Sequence, residues 1–160
     1  MKNPTTAERK SDRELVVTRT FDAPARLVWK AWTTAELFAR WWPPKSFGMT
    51  LLSCEMDARV GGGYRLVYAL GGDPSKSMAF FGKYLEATPF SRFVWTNEES
   101  GDKGAVTTAT FEERDGKTFL VMTDTYPTKE ALDEAMVSGA TSGFEETFAQ
   151  LDAELLTLRD

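Results

Sequence analysis

The stretch that decides the fold runs from Phe21-Asp22-Ala23-Pro24 through Val28-Trp29-Lys30-Ala31-Trp32-Thr33 and Trp41-Trp42-Pro43-Pro44 to Asp57-Ala58-Arg59-Val60-Gly61-Gly62-Gly63. It opens at the end of a strand. Residues 13 to 21 alternate, with Leu15, Val17, Arg19 and Phe21 on one side and Val16, Thr18 and Thr20 on the other, which is the period of two that a strand requires. Asp22 then stands where a helix cap belongs. Pro24 falls in the first turn, where a missing N–H costs nothing, and Leu27, Val28, Ala31 and Trp32 make one apolar face. Thr33-Thr34-Ala35-Glu36 reads as a capping box for a second short helix with Leu37, Phe38 and Trp41 inward, and Pro43-Pro44 ends it. Trp29, Trp32, Trp41 and Trp42 put four of the chain's five tryptophans in this insert. A small helical hairpin needs fewer for its own packing, so a hydrophobic cavity or lid is expected here.

Outward from this stretch, the pattern from Phe47 to Tyr126 is β throughout. Breaks at Gly61-Gly62-Gly63, Gly71-Gly72-Asp73-Pro74, Pro89-Phe90-Ser91, Ser100-Gly101-Asp102 and Asp115-Gly116 imply six strands in short hairpins. A short helix is predicted over Lys129 to Val137, and a long one beyond Gly139 toward Leu158. In the long helix Phe144, Phe148, Leu151, Leu155 and Leu158 form one stripe that must face the sheet. The expected architecture is therefore α+β: a seven-stranded antiparallel sheet, two short helices after strand one, and a C-terminal helix packed across the sheet. Residues 1–12 are expected to be a disordered polar tail, and residues 13–160 one domain.

Composition narrows the chemistry. With 24 acidic and 19 basic residues the chain lacks the positive field that nucleic acid or an anionic membrane surface requires. Histidine is absent, which removes Ser-His-Asp, Cys-His and zinc-hydrolase mechanisms together. Cys54 is the only cysteine, so no internal disulfide forms, and on an apolar-rich strand it reads as a small buried hydrophobe. No apolar run approaches the roughly 20 residues of a membrane span, and a cytoplasmic protein without metal or cofactor is expected.

The ordered motifs quoted above, with Phe81-Gly82-Lys83-Tyr84-Leu85-Glu86 and Gly143-Phe144 further along, resemble the START-like (SRPBCC, helix-grip) superfamily. Within it, the chain is similar to the family of homologues of the Hsp90 ATPase activator. The resemblance implies a curved sheet gripping a long helix, with an apolar cavity between them. In the wider superfamily such cavities hold lipids, sterols, polyketides or plant hormones, and some members carry out cyclisation or dehydration. One departure concerns the last helix, where Phe144 stands in place of the tryptophan that often follows the glycine. An aromatic is kept at the seam between sheet and helix, but an N–H donor is lost.

Parity and the resemblance together nominate Trp32, Trp41, Trp42, Met56, Tyr64, Tyr68, Phe81, Trp95, Phe111, Met122, Asp124, Phe144 and Phe148 as cavity residues. Asp124 is the odd member. A carboxylate in line with Leu120 and Met122 is costly to bury by several kcal/mol unless paired or protonated, and the alternative is that the strand has left the core by Pro127 and the group is wet. The Asp57 to Gly62 motif lacks the ending of a phosphate loop and reads as a strand corner tied by an Asp57–Arg59 contact. Three functions follow. The first is a soluble domain, monomeric or a weak homodimer, enclosing a small hydrophobic or lipid-like molecule. The second is an enzyme of cyclase, dehydratase or hydrolase type, with Asp124 or Glu86 as base and Tyr64, Tyr68 or Tyr126 as donor. The third, implied by the resemblance, is a stress-response module that binds a chaperone or other protein.

Overall fold

The computed structural model describes residues 4–43, 45–71, 73–98, 101, 104–137 and 143–158. The strands are β1 (Thr6–Arg9), β2 (Glu14–Phe21), β3 (Met49–Met56), β4 (Gly63–Leu70), β5 (Asp73–Thr88), β6 (Arg92–Thr96), β7 (Val106–Arg114) and β8 (Lys117–Thr125). They form one curved sheet in the order β1-β2-β8-β7-β6-β5-β4-β3, with every neighbouring pair antiparallel. The helices are α1 (Ala25–Thr33), α2 (Ala35–Trp41), α3 (Lys129–Val137) and α4 (Phe144–Leu155), with one 3-10 turn over Lys45–Phe47. Residues 139–142, where the start of the last helix is expected, and part of the expected turn at residues 100–102 lie outside the described residues.

The sheet has eight strands rather than seven, and the additional one corrects the expectation of a disordered tail. Thr6–Arg9 pair with β2, Thr6 opposite Thr18 and Arg9 opposite Leu15. The sequence Thr-Ala-Glu-Arg carries no apolar alternation because β1 is an exposed edge strand. Its pairing uses the backbone of β2, which side-chain periodicity does not report.

β2 and β3 are consecutive in the chain but lie far apart in the sheet. The segment between them must cross the sheet, and α1 and α2 are that crossing. α1 buries Val28, Ala31 and Trp32 of the predicted face, with Ala25 added and Leu27 only half-buried, and its start is not capped by Asp22. Glu113 on β7 accepts the Ala25 N–H at 2.8 Å instead, while Asp22 pairs with Lys117 at 3.7 Å. The predicted capping box is also absent, since Thr34 is the N-cap and makes no side-chain bond, and the Thr33 hydroxyl donates back to the Trp29 carbonyl. The start of α1 is held by a tertiary contact that local motifs cannot register.

α4 buries Phe148, Leu151 and Leu155 on the predicted stripe, joined by Thr147. Its partners correct the expectation that it faces the sheet alone, for it packs on α2 and α1 as well as on β2. Gln150 ties the seam by donating to the carbonyls of Trp41 and Pro43, and Arg40 pairs with Glu154 at 3.0 Å. No described helix is long and apolar enough to cross a membrane.

Candidate functional site: an apolar cavity under the helical crossing

The insert that crosses the sheet also roofs it. Trp32 of α1, Phe38 of α2 and Trp42 just beyond it face Met56, Tyr64, Leu66, Phe80, Tyr84, Phe93 and Trp95 from β3 to β6, with Asn97, and together they enclose an apolar cavity of about 50 Å³. Trp32, Phe38, Leu66, Tyr84, Phe93 and Trp95 are buried and form its inner end, roof and floor together, while Trp42, Met56, Tyr64, Phe80 and Asn97 are half-buried and form its mouth. No residue of α4 lines it, so the cavity lies between α1–α2 and the sheet and not between the sheet and the C-terminal helix. On the opposite face of the sheet, where Glu55, Arg65 and Phe81 are register partners, is an open outer groove of about 700 Å³ walled by charged residues such as Glu55, Asp57, Arg65, Lys83 and Glu98, and by Phe81. Met56 and Tyr64 contribute to both walls.

The Asp57–Gly63 corner helps to shape the floor. Its Asp57–Arg59 contact forms as predicted, at 2.9 Å. Beyond that, Gly61 donates to the Tyr84 carbonyl and Tyr84 donates to the Gly62 carbonyl, which pins β5 just where its pairing with β6 shifts register. Tyr84 is thereby stacked on Phe93, with ring centroids 4.7 Å apart. Gly62 is required because a Cβ there would sit 2.1 Å from the Asp57 carbonyl oxygen. Gly82 serves the wall in the same way: its missing Cβ leaves room for the Thr96 carbonyl, which accepts the Tyr64 hydroxyl at 2.7 Å.

Of the residues nominated from the sequence, Trp32, Trp42, Met56, Tyr64 and Trp95 are on the cavity wall. Trp41, Tyr68, Phe111, Met122 and Phe148 are core residues packed behind it. Phe81 is 40% exposed on the opposite side, in the outer groove, and Phe144 is half-buried, stacked on Phe148. Sequence reading missed Phe38, Leu66, Phe80, Tyr84, Phe93 and Asn97. Leu66 was recoverable, since it shares the parity of Tyr64 and Tyr68 on β4.

Asp124 is not on the cavity wall, and neither is Tyr126 beside it. The residue keeps some surface, but its carboxyl is enclosed and accepts the Thr107 hydroxyl at 2.6 Å. Burial pushes its pKa up to about 6, which the Thr107 bond partly opposes. Burial, with the Asp124 charge second, pushes Tyr126 up to about 12. In the unfolded chain the Asp124 carboxyl titrates at the ordinary value of 3.8, so between that pH and about 6 the folded chain holds the extra proton. Its contribution to stability is therefore greatest at low pH and declines as pH rises to about 6, a loss of roughly 3 kcal/mol. Asp124→Asn should raise the denaturant midpoint at pH 7 and leave it nearly unchanged at pH 4. An equal shift at both values would show that the carboxyl is hydrated.

Cys54 lies on β3, its thiol bonded to the Ala35 carbonyl at 3.5 Å, and burial pushes its pKa up. An activated nucleophile requires the opposite shift.

A curved antiparallel sheet with a helical crossing after its second strand and a helix closing the chain defines the helix-grip class of domains. The chain belongs to the family described as Activator of Hsp90 ATPase homolog 1-like protein, which matches residues 22–156. No curated protein matches it. Among solved structures, a Rhodobacter sphaeroides protein is 24% identical with a TM-score of 0.85, covering 98% of this chain and 100% of its own. A Staphylococcus epidermidis protein is 27% identical with a TM-score of 0.77, over 97% and 96% of the two chains. A Chromobacterium violaceum protein is 28% identical with a TM-score of 0.71, over 88% and 95%.

Proposed function

We propose that the chain is a small-molecule binding domain that holds an apolar or aromatic compound under α1 and α2, admitted past the half-buried side chains of its mouth, Met56 and Tyr64 among them. The observation that supports this reading is a cavity walled almost wholly by aromatic and aliphatic side chains, with a buried floor and a half-buried mouth. An apolar space of this kind favours ligands by burial rather than by charge. At about 50 Å³ it is roughly a third of the ~150 Å³ that accommodates benzene in an engineered apolar cavity. A ring compound therefore enters by displacing the mouth, and Met56, with its flexible thioether, is the side chain best suited to move.

Removing about 300 Å² of ligand and wall from water contributes roughly 7 kcal/mol, equivalent to about 10 μM before the association cost is subtracted, so affinities in the hundreds of micromolar are expected. Naphthalene-sized aromatic and short fatty compounds should bind in that range and change tryptophan fluorescence, because Trp32, Trp42 and Trp95 are on the wall. Met56→Ala should tighten ring compounds several-fold by widening the mouth. A broad set of such compounds with none binding below millimolar, by fluorescence and thermal shift, would sink the proposal. The name of the family refers to activation of the Hsp90 ATPase; what supports a binding role for this chain is its cavity.

A further inference from the structure

Three buried polar atoms lack a hydrogen-bond partner among the described residues: Arg19 Nε, Trp32 Nε1 and Tyr68 Oη. Only Trp32 belongs to the cavity wall. Its ring has no exposed surface and is packed among aromatic neighbours, including Trp41, Trp95 and Phe148. Trp41, equally buried beside it, gives its own N–H to the Ala31 carbonyl at 3.0 Å. The fold thus satisfies one indole of the pair and leaves the other. A buried donor without an acceptor is more destabilising than a formed hydrogen bond is stabilising, so a residue placed this way calls for a partner.

The other polar group at the mouth does not supply one. Thr107 gives its only proton to Asp124, so it must accept from Asn97, whose two amide protons go to Thr107 at 3.0 Å and to the Ala105 carbonyl at 2.8 Å. The Asn97 carbonyl oxygen lies 3.3 Å from the Tyr64 hydroxyl, whose single proton it shares with the nearer Thr96 carbonyl at 2.7 Å.

We infer that the compound bound in this cavity carries a carbonyl or hydroxyl oxygen that accepts the Trp32 indole N–H. The inference rests on the binding reading above and narrows it from apolar compounds in general to rings bearing one oxygen acceptor. A rigid matched pair tests it: 1-indanone, which has a ketone, and indane, which does not.

Titrated into the uniformly ¹⁵N-labelled wild-type protein, 1-indanone should bind at least about fivefold more tightly than indane, the equivalent of one net hydrogen bond. It should also move the Trp32 indole N–H resonance downfield, which indane should not. Trp32→Phe, which keeps a ring and removes the donor, should identify that resonance and bring the two affinities together. The wild-type spectra carry the test if that variant does not fold. Equal binding of both compounds with no selective shift of the Trp32 signal would mean that the N–H is directed at a neighbouring ring, overturning the acceptor while leaving the cavity's role intact. Binding of neither compound would overturn the binding reading itself.

Discussion

Phe148→Ala is expected to lower folding stability by about 3 to 5 kcal/mol, the range for deleting a buried aromatic ring. Phe148 has no exposed surface, meets Phe21 of β2 edge-on at 5.6 Å and lies 6.3 Å from Trp32 of α1. It is therefore where the C-terminal helix, the helical crossing and the sheet meet. Neighbouring rings are too large and too mutually packed to collapse into the space, so the upper part of the range is expected. Leu156→Ala, at a position 80% exposed just past the same helix, should change stability by less than about 0.5 kcal/mol. Urea unfolding of both variants checks the pair. Similar losses would mean that the helix presents a different face to the core.

Asp152→Ala is expected to cost about 2 to 4 kcal/mol through a different mechanism. Arg19 lies on the buried side of β2 with its side chain fully covered, directed over the Phe21 ring at 5.8 Å. Its guanidinium makes a short contact with Asp152, a longer one with Glu145 at 3.5 Å, and a hydrogen bond to the Thr5 hydroxyl at 2.6 Å. Removing Asp152 leaves a buried cation facing only the well-exposed Glu145, and an uncompensated buried charge typically costs 3 to 5 kcal/mol. The lower figure here reflects the partial exposure of Asp152, 32% of its side chain. Arg19→Met combined with Asp152→Leu should return most of the loss, because an apolar pair of similar volume carries no desolvation penalty. If the double variant is as unstable as Asp152→Ala alone, the contact between β2 and α4 depends on the ions themselves.

Arg19 also shows where sequence reading stops. Its parity with Leu15, Val17 and Phe21 puts it on the inward side, as the alternation predicts, yet a lone arginine in that register does not disclose that Asp152, more than a hundred residues away, will neutralise it. The candidate site follows the same division. Trp32, Trp42, Met56, Tyr64 and Trp95 were legible as wall residues because aromatic clustering and strand parity are local signals. Phe38, Phe80, Tyr84, Phe93 and Asn97 were not. Their place on the wall depends on how α2 packs on β3, on the register shift next to Tyr84, and on the chain of bonds from Asp124 through Thr107 that orients Asn97.

The family, the antiparallel order of the meander, the stripe of the last helix and the absence of histidine chemistry can all be read from the residues without coordinates. Each of these follows from spacing along the chain or from composition. Tertiary structure alone decided that β1 joins the sheet, that α1 and α2 roof the cavity while α4 packs beside them, and that Trp32 keeps an unpartnered N–H on the cavity wall. An edge strand needs only a neighbour's backbone, and a cavity is the space left over by several elements at once. Neither leaves a periodic trace in the residues that form it.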